Sequence, residues 1–268
     1  MTTYKKFIKP FYLEEPTDFI FYRPSAFIVI KAFQKLPLTP NTFSILALIV
    51  AWSADLIIFT DNISLMHFAG WFILIFSILD CCDGMWARWK GNPYPYGDLV
   101  DMFVDLLAMI GHVTALCYLG AVHGDGGLIP FVSGLMILFH AAVYNDKRLK
   151  LLALEANDLS IKTAQVKKYK TEFERIKNLP GHLFSKSLMR LFLLFTKAQA
   201  AEREIPDYSP KQIARFKQVL PLWGLAAGAS HLTVLALALI LHEPKIYYVF
   251  ALLIANIIIS TAWLMERL

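Results

Sequence analysis

The sequence predicts an all-α integral membrane protein, with six transmembrane helices and an interfacial N-terminal helix. Three observations predict it. The 268 residues are 57% hydrophobic, and a mean hydropathy of +0.50 is too high for an ordinary soluble domain. The apolar residues lie in long runs rather than scattered ones. The basic residues are segregated into a few connecting segments.

The spans are expected from Asn41 to Thr60, His67 to Arg88, Gly97 to Ala121, Leu128 to Tyr144, Leu220 to Leu241 and Ile246 to Leu264. Most reach the roughly 20 residues that cross the hydrocarbon core, and the fourth is the shortest. Orientation follows from charge. Six basic residues precede the first span: Lys5, Lys6, Lys9, Arg23, Lys31 and Lys35. The loops at 61–66 and 122–127 have none, whereas the stretch from Lys147 to Lys217 has sixteen. That asymmetry places both termini and the long segment in the cytoplasm. Residues 24–36, PSAFIVIKAFQKL, mix apolar positions with Lys31 and Lys35 behind a helix-starting proline, as an interfacial helix does.

Two domains are expected. Residues 1–40 form a cytoplasmic N-terminal segment carrying the interfacial helix, and residues 41–268 form the membrane domain. Within the latter, 146–216 is read as a cytoplasmic helical insertion, with an amphipathic stretch SLMRLFLLFTKAQ. Cys81, Cys82 and Cys117 sit in apolar segments with neither zinc-site nor disulfide spacing. The first residues lack the apolar core of a signal peptide, so no cleavable leader is expected. The partners expected are membrane lipids and small molecules, with no nucleic acid.

Chemistry concentrates in DCCDGMWARWKGNPYPYGDLVDMFVD. A carboxylate in a spanning segment costs roughly 2.5–3.5 kcal/mol on insertion scales, and this stretch carries four of them on two spans: Asp80, Asp83, Asp101 and Asp105. Asp80, Asp83, Gly84 and Ala87 recur at helical spacing on one face of the second span. Gly97, Asp101 and Asp105 do the same on the third. The eight residues 89–96 contain two prolines and a glycine, which predicts a short turn between antiparallel neighbours. At ~1.5 Å per residue, both acid pairs lie roughly 6–12 Å below the cytoplasmic surface, able to share one cavity. Two divalent cations would balance four carboxylates, and paired metals are a standard device for phosphoryl displacement. Oxygen ligands favour Mg²⁺, with Mn²⁺ or Ca²⁺ as substitutes. Gly84, Ala87 and Gly97 lack bulk on the same faces and would let a ligand approach the backbone, and Arg88 could meet a phosphate.

The residues spell D-x2-D-G-x2-A-R-x8-G-x3-D-x3-D without a departure. This pattern resembles the signature of the CDP-alcohol phosphotransferases, intramembrane enzymes of phospholipid biosynthesis, also called CDP-alcohol phosphatidyltransferases. Residues 39–44, TPNTFS, are similar to the segment that opens the family's first span. The resemblance implies a transferase that moves a phosphoalcohol from a CDP-alcohol donor to an alcohol acceptor and releases CMP. It implies that Asp80, Asp83 and Asp101 hold one cation and that Asp80, Asp101 and Asp105 share a second. Asp105 would also be the general base. Gly84 and Ala87 would pack on the cytidine, with Asn41 and Thr42 nearby and Arg88, Gly97 and the metal-binding aspartates completing the donor site. It also implies a homodimer.

Two other functions use intramembrane carboxylates. A prenyltransferase would need two Asp-rich motifs on distant helices, and here both lie on neighbours. A divalent-cation transporter would need a polar path through the outer halves of the second and third spans, which are almost wholly apolar. The spanning parts of helices four to six carry no basic cluster, which disfavours a phosphorylated acceptor, and the long cytoplasmic segment leans towards an aminoalcohol reaction. His112, His140 and His231 are expected to be packed or hydrogen-bonded. Asp98 is expected to favour the helix dipole outside the site. Asp55 is expected to reach interfacial water, while Asn145, Lys147 and Arg148 should be a solvated helix end and the lysines of 162–177 should meet anionic lipid heads.

Overall fold

A computed structural model describes residue 4 and residues 7–91, 96–158, 160–196 and 208–267. The described residues form helices and turns with no strand, and six helical stretches are long and apolar enough to span a membrane. The chain is an integral membrane protein. A π-helical turn, Asp18–Tyr22, leads into α1, Arg23–Phe33. The spanning helices α2 (Pro40–Phe59), α3 (Ile63–Lys90), α4 (Gly97–Val122) and α5 (Leu128–Ala156) follow. After α6 (Ser160–Ile176) and α7 (Leu183–Thr196), the fifth span is built from α8 (Pro210–Gly224) and α9 (Gly228–Ile240). The sixth runs through α10 (Lys245–Val249), a π turn at Phe250–Ile254 and α11 (Ala255–Arg267).

Local chemistry fixes the ends. Thr39 and Thr42 form a capping box with Pro40 at the first helical position, so α2 starts where the interfacial segment ends. Asn62 Oδ1 accepts from the Ser64 amide at 3.0 Å and starts α3. Gly91, at φ 64°, closes it in the left-handed conformation that glycine adopts at least cost. The expected turn at 89–96 divides here: Trp89 and Lys90 complete α3, and residues 92–95 lie outside the described residues.

Packing follows small residues. Ala47, Ala51 and Ala54 line one face of α2 at zero exposure, while Ile45, Ile49 and Leu56 stand outward. That stripe brings α2 against α3 and α4, because small side chains let helix backbones approach inside a membrane. Tyr22, Ala26 and Ile30 recur every four residues and seat α1 against α3, with Ile28 facing out. α3 packs on α9, α4 on α5, and α8 on α5 and α11.

Three expectations change. The fourth span does not stop at Tyr144: α5 continues unbroken to Ala156, because Leu151, on the same face as Tyr144, is buried beside Phe216 and Leu220. The cluster Asn145, Lys147 and Arg148 is therefore not a solvated helix end. Lys147 bonds Glu266 at 2.5 Å and covers the Trp223 ring at 4.5 Å, and Arg148 donates to Asn145 at 3.0 Å. The fifth span begins ten residues early, at Pro210, under a Ser209–Gln212 capping box, and breaks at residues 225–227.

Candidate active site

The antiparallel pair α3 and α4 brings the aspartates together. One carboxylate oxygen from each of Asp80, Asp101 and Asp105 lies within 4.8 Å of the others. Asp83 joins from the next turn of α3: its carboxyl comes within hydrogen-bonding range of Asp101, and Asp105 reaches Asp80. Exposure separates the four. Asp83 is 8% exposed and its Oδ2 accepts from the Ser44 hydroxyl at 2.7 Å. Asp80 and Asp101 are half-buried, while Asp105 is open to a cavity. Carboxylates packed this closely repel one another unless protons or cations lie between them.

The donor set fits divalent cations. Two oxygens on one hard ion stand up to ~4.6–5.2 Å apart for Ca²⁺ and ~4.2 Å for Mg²⁺; the grouping, within 4.8 Å, suits the larger ion as it stands and the smaller one after a slight contraction.

The cavity, about 610 Å³, has Asp80, Asp101 and Asp105 on its wall. It reaches from Asp98 and Asp146 to Phe76 and His112, with Ile137, Leu138 and Leu232 on the far side. Besides Asp146, two more acids line it that sequence reasoning missed, Glu15 and Asp18. Their signal was present as LEEPTD ahead of the interfacial helix, but nothing local said where that segment docks. The break at residues 225–227 supplies the reason. It exposes the first amides of α9, and Glu15 Oε2 accepts from Ala229 N at 2.7 Å. Thr17 bonds Ser230 at 2.9 Å and Tyr22 bonds Thr233 at 2.7 Å, completing the clasp. Burial pushes Asp18 up to about 6, against the pull of Arg23. Burial and the neighbouring Asp18 push Glu15 well above the usual carboxylate range, against the Ala229 amide.

The expected nucleotide contacts lie on another side of the aspartates, outside the cavity lining. Gly84 is bare except for Arg88, whose guanidinium folds back over it and whose Nε donates to Phe7 O at 2.9 Å. Ala87 is half-buried on the same face, and Gly97 opens α4 after Tyr96. Asn41 Oδ1 is buried with no hydrogen-bond partner among the described residues, as an atom reserved for a ligand would be. The Thr42 hydroxyl already serves the α2 cap, at 2.9 Å from Thr39.

The weaker candidates sort differently. His140 and His231 pair at 2.9 Å inside the bundle, and His231 meets Tyr247 at 3.3 Å, so both are structural as expected. Asp98 does more than face a dipole: it lines the cavity and accepts from Gln165 at 3.0 Å and from Tyr169. The Asp55 expectation fails. Asp55 is 3% exposed and bonds His112 Nδ1 at 2.6 Å. Gly111 makes room for it, since a Cβ there would stand 2.2 Å from Asp55 Oδ2.

A six-span bundle with clustered carboxylates on adjoining spans defines an integral membrane protein with a candidate cation site. The family model for CDP-alcohol phosphatidyltransferase matches residues 37–174, just over half of the chain. The protein belongs to the CDP-alcohol phosphatidyltransferase family, and so is a membrane transferase of phosphoalcohol groups with CDP-alcohol and alcohol substrates. Enzymes of this family generally depend on divalent cations. No curated protein matches the chain.

Proposed function

We propose that the protein transfers the phosphoalcohol group of a CDP-alcohol to a second alcohol, at least one of them a lipid, with release of CMP. The observation that carries the proposal is the meeting of Asp80, Asp101 and Asp105 oxygens within 4.8 Å on the wall of a cavity. Asp80, Asp83 and Asp101 would hold one divalent cation, and Asp80, Asp101 and Asp105 a second, with Mg²⁺ the first choice and Mn²⁺ a substitute. When bound, such ions offset the carboxylate charge, hold the diphosphate and stabilise the charge that builds on CMP.

The chain's own residues do the rest. Asp105 is the most exposed of the three carboxylates that line the cavity, so an alcohol arriving there meets it first. Asp105 accepts the hydroxyl proton while the alcohol oxygen attacks the β-phosphorus. The bond from that phosphorus to the bridging oxygen breaks, and CMP leaves with the electron pair. Asp83, held by Ser44, keeps Asp101 in place from the buried side. Gly84 and Ala87 offer a bare helix face to the cytidine, with Asn41 Oδ1 and the Arg88 guanidinium beside it.

The cavity also bears on the alcohol. Apart from His112 its titratable lining is acidic, including Glu15, Asp18, Asp98 and Asp146, with no lysine or arginine among the described lining residues. A phosphorylated acceptor would be repelled there, so a neutral or cationic alcohol is favoured, as in aminoalcohol reactions. The basic segments put this face in the cytoplasm.

The test is CMP release by the purified full-length protein, screening CDP-diacylglycerol, CDP-choline and CDP-ethanolamine against alcohols, with Mg²⁺ or a chelator. Asp105→Asn is expected to bind the CDP-alcohol and lose turnover. Wild-type turnover in that variant would sink the base assignment.

A further inference from the structure

The Asp55–His112 pair has no task in the reaction above. It lies in two spanning helices, is 3% and 2% exposed, and is joined by a 2.6 Å bond from Nδ1 to Oδ1. Ionisable groups at this depth are costly and are placed where a function needs them. The pair does tie α2 to α4, but its other ring nitrogen is left over. Nε2 is buried with no hydrogen-bond partner among the described residues, and His112 lines the cavity.

The protonation of that atom follows from charge. A buried pair in a membrane is held with no net charge, since an uncompensated ion there is far more expensive. Its shared proton can sit on Asp55 or on Nδ1. With that proton held between Oδ1 and Nδ1, the tautomer the pair requires carries its other hydrogen on Nε2. His112, which lines the cavity, therefore carries a buried N–H with no partner among the described residues. Around it the walls are apolar: Phe76, Ala108, Met109, Ile137, Leu138 and Leu232. The Phe76 ring meets His112 edge to face at 5.8 Å.

His112 follows Asp105 by seven residues on nearly the same face of α4, so it lies ~10 Å further along the helix axis. A ligand spanning both needs a reactive oxygen at one end and a hydrogen-bond acceptor embedded in hydrocarbon at the other. We propose that His112 Nε2–H donates to an ester carbonyl of a diacylglycerol unit whose C3 oxygen lies at the aspartates. The ester carbonyls of that unit are a few bonds from its C3 oxygen and are flanked by acyl chains, which match the apolar walls. The same unit occurs in CDP-diacylglycerol as donor and in free diacylglycerol as acceptor. Asp55 and His112 are thus positioning residues for the lipid substrate. The inference rests on the proposal that one substrate is a lipid.

The test uses the full-length protein in nanodiscs of dialkyl ether phosphocholine, which contain no ester. One arm measures CMP release from CDP-diacylglycerol against CDP-dialkylglycerol with small alcohols. The other uses CDP-choline with diacylglycerol against dialkylglycerol. In one arm the wild type is expected to favour the ester about tenfold, in KM rather than kcat, and that arm names the source of the lipid. Asp55→Leu/His112→Phe removes both polar partners together, leaving neither orphaned, and should bring the ratio to about one. Asp55→Asn/His112→Gln, which keeps an N–H at the tip, should restore part of it, and stands in if the apolar variant does not fold. A purely structural pair would weaken both lipids alike and keep the ratio. A wild-type ratio of one, or a ratio unchanged in the apolar variant, overturns the inference and leaves the transferase proposal standing. If the wild type turns over no CDP-alcohol at all, that proposal has failed instead. Preferential retention of ester over ether diglyceride, read by native mass spectrometry, then supports the site, and equal retention overturns it.

Discussion

Gly84→Ala tests whether the bare face of α3 serves a ligand or only packing. A Cβ at Gly84 would meet Arg88 Nη1 at 3.6 Å and Nη2 at 3.8 Å, ordinary contacts with the end of a flexible side chain. The fold loses nothing, and the helix gains up to about 1 kcal/mol, the advantage of alanine over glycine in a helix interior. Gly70→Ala is the contrast. There the Cβ would stand 2.4 Å from the Ala236 carbonyl oxygen and 2.6 Å from Ile240 Cγ1, so α3 could not keep its distance from α9. Gly84→Ala is therefore expected to melt no lower than wild type, and Gly70→Ala to melt lower. If the cytidine lies on Gly84, the added methyl overpacks that contact by about 1–3 kcal/mol, which is roughly 5- to 150-fold in KM for the CDP-alcohol. CMP release against donor concentration reads it, and calorimetric titration of the nucleotide separates binding from turnover. Unchanged KM and kcat in a stable Gly84→Ala protein would refute the nucleotide placement, and a lower melting point would refute the packing on which it rests.

Further expectations follow from the same contacts. Mg²⁺ should raise the melting point of the wild type, by the equivalent of about 2.7 kcal/mol at a hundredfold excess over Kd, and Asp80→Asn should lose most of that rise. An equal rise in the variant would place the cation elsewhere. The Asp18 carboxyl, at about 6 when folded against an ordinary 3.8, binds its proton more tightly in the folded chain. Its contribution is present below pH 3.8 and lost as pH rises through 6, up to about 3 kcal/mol. Asp18→Asn should flatten that decline in thermal melts between pH 4 and 6.5, and an unchanged slope would contradict it. Tyr169→Phe removes the hydroxyl that docks α6 on Asp98 and should cost about 1 kcal/mol locally. Faster limited proteolysis within 160–196 checks it, with global melting little altered.

The spans and the acid pairs were legible because both are properties of single helices. Hydropathy marks a span, and spacing puts Asp80 with Asp83 and Asp101 with Asp105 on one face each. What sequence could not show depends on neighbours far along the chain. The end of α5 was misplaced because Lys147 looks like a terminus until Glu266 and Trp223 are beside it. Position along α2 alone points Asp55 to interfacial water, because its partner, His112, comes from another helix. Periodicity could not reveal the break at residues 225–227 either, since GLAAGA is compatible with an unbroken apolar helix.

That break also explains where substrate choice can be located. An interrupted span leaves amides without intrahelical partners, and burial makes them expensive unless another segment supplies acceptors. Glu15 supplies one for Ala229, and in doing so draws Asp18 to the cavity wall. Glu15, Asp18, Ala229 and Leu232 all lie outside the matched residues 37–174, whereas the four clustered aspartates lie inside them. The aspartate end of the cavity is thus built from the shared signature, and part of the remaining lining from segments that the matched residues do not cover. Two proteins with identical aspartates could present different walls and take different alcohols. Exchanging Glu15 or Asp18 for neutral residues should therefore change which alcohol is used before it changes whether CMP is released.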